Sequence, residues 1–88
     1  MKFEWDSQKA DKVLQDREID FRDLISVFSN IRTERPSDKD GEFRWVTVGM
    51  VKGKLVAVVY TRRGDVFRII TARRARKNEE RAYHSHDL

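Results

Sequence analysis

Five arginines crowd into the twenty residues VAVVYTRRGDVFRIITARRA at 56–75, and guanidinium pairs bidentately with phosphate and carboxylate. Arg62, Arg63 and Arg68 surround the tip of an apolar run that turns back on itself, and Arg73 and Arg74 stand at its exit. A hairpin that only filled a core would not carry them, because a buried guanidinium without a partner is costly. The chemistry open to such a set is electrostatic: it could hold a phosphate and stabilise the charge that develops when phosphorus is attacked. RNA cleavage without a metal needs little more. The ribose 2′-hydroxyl is the nucleophile, so a protein need only position the backbone, remove one proton and supply one. Arginine stays protonated at neutral pH and serves neither proton step. Candidates for those steps are Glu42, Glu79, Glu80, Tyr83, His84 and His86.

The elements that must position these groups follow from the spacing of apolar residues. Two β-branched runs flank Gly64-Asp65, a hairpin signal because glycine supplies the positive φ of a tight turn. Before them, residues 43–50 (FRWVTVGM) alternate as a strand, and Lys52-Gly53 is a turn leading into a strand at 55–63, with another at 66–73. At the N-terminus KFEW alternates as a short strand. Asp6 or Ser7 then caps a helix whose apolar positions are Ala10, Val13 and Leu14. Asp20 caps a second helix with Phe21, Leu24, Ile25 and Phe28 at helical spacing, while Ile19 and Phe21 pin one helix to the other. Residues 29–41 (SNIRTERPSDKDG) are polar, hold the only proline and read as a loop. Any helix in 74–88 must rest on Ala75, Ala82 and Tyr83. The expected architecture is α+β in the order β-α-α-β-β-β-α, one domain over residues 1–88, an antiparallel sheet with its helices packed on one face.

If both turns hold two residues, the pairing places Arg63 opposite Val66, Thr61 opposite Arg68, Val59 opposite Ile70, Arg44 opposite Thr61 and Val46 opposite Val59. Arg44, Arg63 and Arg68 then converge around Thr61, with Tyr83 a further lining residue. The opposite face collects Phe43, Trp45, Val58, Tyr60, Phe67 and Ile69 as a bed for the helices. A one-residue slip would bury three guanidiniums beneath those helices, which argues for this register.

Charge supports the division. Residues 1–40 hold 8 Lys/Arg against 10 Asp/Glu and residues 41–88 hold 11 against 5, so the net +4 hides an acidic half and a basic one. A basic half rich in arginine fits a polyanion or an acidic partner. With 39% hydrophobic and 39% charged residues, the chain folds only because its apolar residues are periodic. The absence of cysteine removes disulfides and thiol chemistry and suits a reducing cytoplasm. The opening MKFEWDSQK lacks the apolar core of a signal peptide, and no apolar run nears the ~18 residues of a membrane span. A soluble protein without cofactor is expected.

Blander readings apply to several residues. Trp5, Trp45 and Tyr60 read as core. His84 and His86, two apart on a helix, share no face and read as a polar tail rather than a metal site. Glu79, Glu80 and Arg81 read as intrahelical ion pairs before catalytic groups, and Arg62 and Arg76 as plain surface.

FEWD at 3–6, Lys9, Leu14, Ile19, Phe21, VF at 27–28, GE at 41–42, Arg44, then VVYT, RG, RIIT and ARRA through Glu79 and Tyr83 resemble the BrnT toxins across nearly the whole chain. The resemblance implies a fold similar to RelE-type ribonucleases and a toxin of a type II toxin–antitoxin pair that cleaves RNA and blocks translation. It also implies a BrnA-like antitoxin, a ribbon-helix-helix protein through which the complex meets DNA and represses its own operon. Carried over residue by residue, Arg63, Arg68, Arg73, Glu79 and Tyr83 are the catalytic candidates, and Arg44, Thr61 and Arg74 bind RNA or phosphate. The chain departs from the family pattern at Val13, where an asparagine is usual, and at Asp16-Arg17-Glu18, where a Lys-His-Gly run is usual. The phosphate clamp is therefore kept and the acid–base apparatus altered. The alternative function is a weakly active or inactive homologue that binds the antitoxin as corepressor. Binding of single strands without cleavage is disfavoured, since most aromatics fall on the core face.

Overall fold

In a computed structural model that describes residues 1–39 and 41–85, the chain runs β1 (Lys2–Trp5), α1 (Ser7–Arg17), α2 (Phe21–Leu24), a 3₁₀ segment (Ile25–Ser29), β2 (Arg32–Lys39), β3 (Glu42–Val51), β4 (Lys54–Arg63), β5 (Val66–Arg74) and α3 (Lys77–Ser85). The strands form one sheet in the order β1-β5-β4-β3-β2.

Local chemistry explains the elements. The Asp6 carboxylate accepts from the Lys9 N–H at 3.1 Å to open α1, and Glu18 closes it in the left-handed region at φ 58°. Asp20 opens α2 by accepting from the Arg22 N–H at 2.9 Å. Lys52 and Gly53 both have positive φ, the signature of a type I′ hairpin, whereas in the next turn Gly64 carries it at the first central position, as type II′ requires.

Three expectations about the architecture fail. The sheet is not wholly antiparallel, because β1 lies parallel to β5, with Phe3 beside Phe67 and Glu4 beside Arg68. The expected loop holds a strand instead: Arg32–Lys39 pair with Glu42–Gly49 of β3. Pro36 is tolerated there because β2 is an edge strand, where a residue without an N–H can sit facing outward. Nor do the helices share a face. The main core joins Val13, Ile19, Phe21, Leu24, Val27 and Phe28 to Val56, Val58, Tyr60, Phe67, Ile69 and Ala72. A second cluster of Val46, Val48, Leu55 and Ala57, with Ala75 and Tyr83 against it, lies on the other side of the sheet beneath α3. The chain must cover both faces because β3 and β4 carry apolar residues at consecutive positions.

Rings of Phe3, Phe28, Tyr60 and Phe67 pack with centroids 5.0 to 5.6 Å apart at the centre of the main core. Phe43, expected in that core, is 58% exposed and leans edge-on against Trp45 at 5.3 Å, because the helical cover ends short of the β2–β3 turn. At Gly49 the 3₁₀ segment comes so close that an added Cβ would meet Val27 Cγ1 at 2.7 Å. Gly49→Ala should therefore cost about 1–3 kcal/mol through overpacking, measured by urea unfolding.

The strand register agrees with expectation near the Gly64 turn, with Arg63 beside Val66 and Thr61 beside Arg68, and between β3 and β4, with Val46 beside Val59. It then shifts. Val59 pairs with Thr71 rather than Ile70, so a bulge interrupts β5. Strict alternation would put positions 68 and 73 on opposite faces; the extra residue brings Arg73 round to the face of Arg68 and turns Arg74 away.

Candidate functional site

The face beneath α3 is covered only where Val46, Val48, Leu55 and Ala57 lie. Toward the Gly64 turn it stays open, and there a cavity of about 310 Å³ is lined by Glu4, Thr61, Arg63, Val66 and Arg68. Three strands build it. The β4–β5 register sets Thr61 beside Arg68 and Arg63 beside Val66, and the parallel β1–β5 register sets Glu4 on the other flank of Arg68. Arg68 Nη1 donates to Glu4 Oε2 at 3.2 Å, with both side chains about half exposed (48% and 53%). An ion pair so exposed is worth at most ~1 kcal/mol, so an incoming anion can open it. Arg63 is exposed and has no ion-pair partner among the described residues. The cavity thus offers two guanidiniums, a hydroxyl and a carboxylate within one open concavity.

A second charged centre on this face is closed. Glu79, 4% exposed, accepts from Arg73 Nη1 at 2.7 Å and Nη2 at 2.9 Å, from Arg35 Nη2 at 2.8 Å and from the Arg76 N–H at 2.8 Å. The last bond reaches back to the residue before α3 and is the returning half of a capping box. The Arg73 hydrogen bonds, against the opposing effect of burial, and with help from the Arg76 N–H and Arg35, hold the Glu79 carboxyl down at about 2. Hydrogen bonding to Glu79 raises the Arg73 guanidinium in turn. A carboxylate with four donors, ionised at any physiological pH, ties α3 to β5 and to edge strand β2 and is unsuited to carrying a proton.

The remaining candidates are spread out. Arg44 is half-buried on β3 beside Ser37, on the same face as Val46 by alternation. Arg74 lies on the other face, lining a groove of about 400 Å³ with Leu14, Arg17, Asp20 and Lys52. Tyr83 is half-buried against the cluster under α3, its ring 5.6 Å from that of His84. Glu80 and His84 lie with Lys77 and Arg81 in a hollow on α3. His86 and the Glu42 side chain fall outside the described residues. The structure therefore brings Thr61, Arg63 and Arg68 together and joins Arg73 to Glu79, but Arg44 and Tyr83, expected at the same corner, do not line the cavity, and Arg74 faces away. Among the described residues no three His, Cys, Asp or Glu side chains gather as metal ligands.

Two participants escaped the sequence reading. Glu4 had a signal, since the alternation of KFEW turns it away from Phe3 and Trp5; what could not be read was that β1 would pair with β5. Arg35, the third partner of Glu79, had none, lying in a polar run around the only proline.

The family model described as ribonuclease toxin, BrnT, of type II toxin–antitoxin system matches residues 5–79. Among solved structures, the crystal structure of the Brucella abortus ribonuclease toxin BrnT is similar with a TM-score of 0.72 at 26% identity, covering 88% of this chain and 99% of that one. No curated protein matches the chain by sequence.

Proposed function

Since the chain belongs to the BrnT family of ribonuclease toxins of type II toxin–antitoxin systems, we propose that it cleaves RNA at the cavity between β1, β4 and β5, without a metal ion, and so blocks translation. The observation that carries this reading is the convergence of Thr61, Arg63 and Arg68 in one open concavity. Arg63 and Arg68 take the non-bridging oxygens of the scissile phosphate, and the Thr61 hydroxyl donates to the same group. Charge gathering on those oxygens as the 2′-oxygen attacks is met by two cations, which is where catalysis by such a site arises. Arg44 extends the basic track along the RNA backbone, and Tyr83 borders it. Arg73 and Glu79 act as positioning residues, holding α3 against the sheet beside the site. Arg74, facing the other way, has no part in this cavity.

Residues 1–88 act as a single unit, and the partner is a BrnA-like ribbon-helix-helix antitoxin that supplies the contact with DNA. The test uses the purified chain, free of antitoxin, with total RNA in EDTA. Cleavage is expected to persist and to leave 2′,3′-cyclic phosphate ends. Activity lost in EDTA and restored by a divalent cation would overturn the metal-free reaction. Intact RNA, together with normal growth on expression of the chain alone, would overturn the ribonuclease reading and leave an antitoxin-binding corepressor.

A further inference from the structure

Resting on cleavage at this cavity, the geometry points to Glu4 as the general base that removes the 2′-hydroxyl proton. Four observations carry it. Glu4 is the only carboxylate lining the cavity among the described residues. Its backbone is held in place: the parallel register sets it beside Arg68, while its neighbours Phe3 and Trp5 are locked into the opposite face, Phe3 at 5.2 Å from Phe28 and 5.6 Å from Phe67, Trp5 at 5.9 Å from Phe21. Its contact with Arg68 uses one oxygen of the carboxylate and one nitrogen of the guanidinium, so both groups keep capacity for substrate. And Glu79, an acidic candidate on this face, is occupied by four donors.

The attacking hydroxyl sits on the ribose carbon next to the one that bears the phosphate, so a base for it must stand beside the phosphate clamp. Glu4 does, because Arg68 belongs to both. When RNA enters, Arg68 turns its N–H groups to the phosphate and the carboxylate is left facing the ribose. Glu4 then accepts the 2′-hydroxyl proton as the 2′-oxygen bonds to phosphorus. The bond from phosphorus to the 5′-oxygen breaks, that oxygen takes a proton from water at the open mouth, and Glu4 returns its own to solvent. Atoms and charge balance, and the products are a 2′,3′-cyclic phosphate and a 5′-hydroxyl. The charged groups facing Glu4 are Arg68 on β5 and Arg63 on β4, with Lys2 two residues away on the same face of its own strand.

The test measures single-turnover cleavage of an oligoribonucleotide across pH, alongside binding of the same oligonucleotide carrying a 2′-deoxy group at the scissile position, in wild type, Glu4→Gln, Glu4→Asp and Arg63→Ala. Glu4→Gln is expected to lose ~10²–10⁴ in rate at saturating RNA, to lose the acidic limb of the pH–rate profile, and to bind the 2′-deoxy probe as tightly as wild type or more so. Glu4→Asp should keep that limb with part of the rate, and guards against misfolding of the glutamine variant. A Glu4→Gln protein that cleaves at the wild-type rate, or slowly with its acidic limb intact, overturns the assignment. Cleavage impaired in Arg63→Ala but not in Glu4→Gln refutes Glu4 alone, whereas unimpaired Arg63→Ala refutes the site itself.

Discussion

Arg63→Ala and Arg68→Ala should each reduce RNA cleavage by ~10²–10³-fold and relieve growth inhibition, because each removes a cation from where charge develops in the proposed transition state. Neither should unfold the protein. Arg63 makes no ion pair among the described residues, and the Arg68–Glu4 pair is half exposed, so the stability lost is expected to stay below ~1 kcal/mol. Thermal unfolding and cleavage measured on the same preparations separate the two effects. Full toxicity in both variants would remove the cavity from the reaction, whatever else binds RNA on this chain.

The second large effect concerns the closed centre. Glu79 titrates near 4.5 when unperturbed and is held down at about 2 in the fold. A lowered carboxyl contributes stability that is fully present above its unfolded value and is lost as pH falls through its folded one. Urea unfolding followed from pH 6 to pH 2 should thus show a loss on the order of 3 kcal/mol, concentrated below pH 4.5. Glu79→Gln should be less stable at neutral pH by about 3 kcal/mol, since it leaves Arg73 and Arg35 without their shared counter-charge. Its acid limb should be flatter. An unchanged pH profile in the variant would show that the acid sensitivity lies in other carboxylates.

Much of the sheet was legible because hairpins are local. Lys52-Gly53 and Gly64-Asp65 announced their turns, and turn length set the register that brings Thr61 and Arg68 together. The bulge at Ile70 carried no such mark: 69 to 71 reads Ile-Ile-Thr, equally suited to a regular strand. β2 was lost for the opposite reason. Its outward side chains are polar because it is an edge, and the inward ones make a polar lock, in which Tyr60 donates to Glu34 at 2.5 Å, Arg32 joins the same carboxylate, and Thr47 donates to the Thr33 carbonyl at 2.7 Å. Burial and that carboxylate push the Tyr60 hydroxyl up to about 12, so it serves as a donor. α3 was legible in part, since it rests on Tyr83 as its few apolar residues implied, while its buried glutamate gave no sign of its partners. It docks through Tyr83 and an ion-paired glutamate, not through an apolar stripe.

The Glu4–Arg68 contact joins residues 64 positions apart. A growing chain holds its first four residues long before β5 exists, and β1 has nothing to pair with until residues 66–69 have been added. For most of its synthesis the chain therefore carries neither the second arginine nor the strand that would present the carboxylate. The strand that carries the carboxylate and the strand that carries Arg68 are therefore brought together by one pairing between parts of the chain far apart in sequence, and the cavity cannot exist without it.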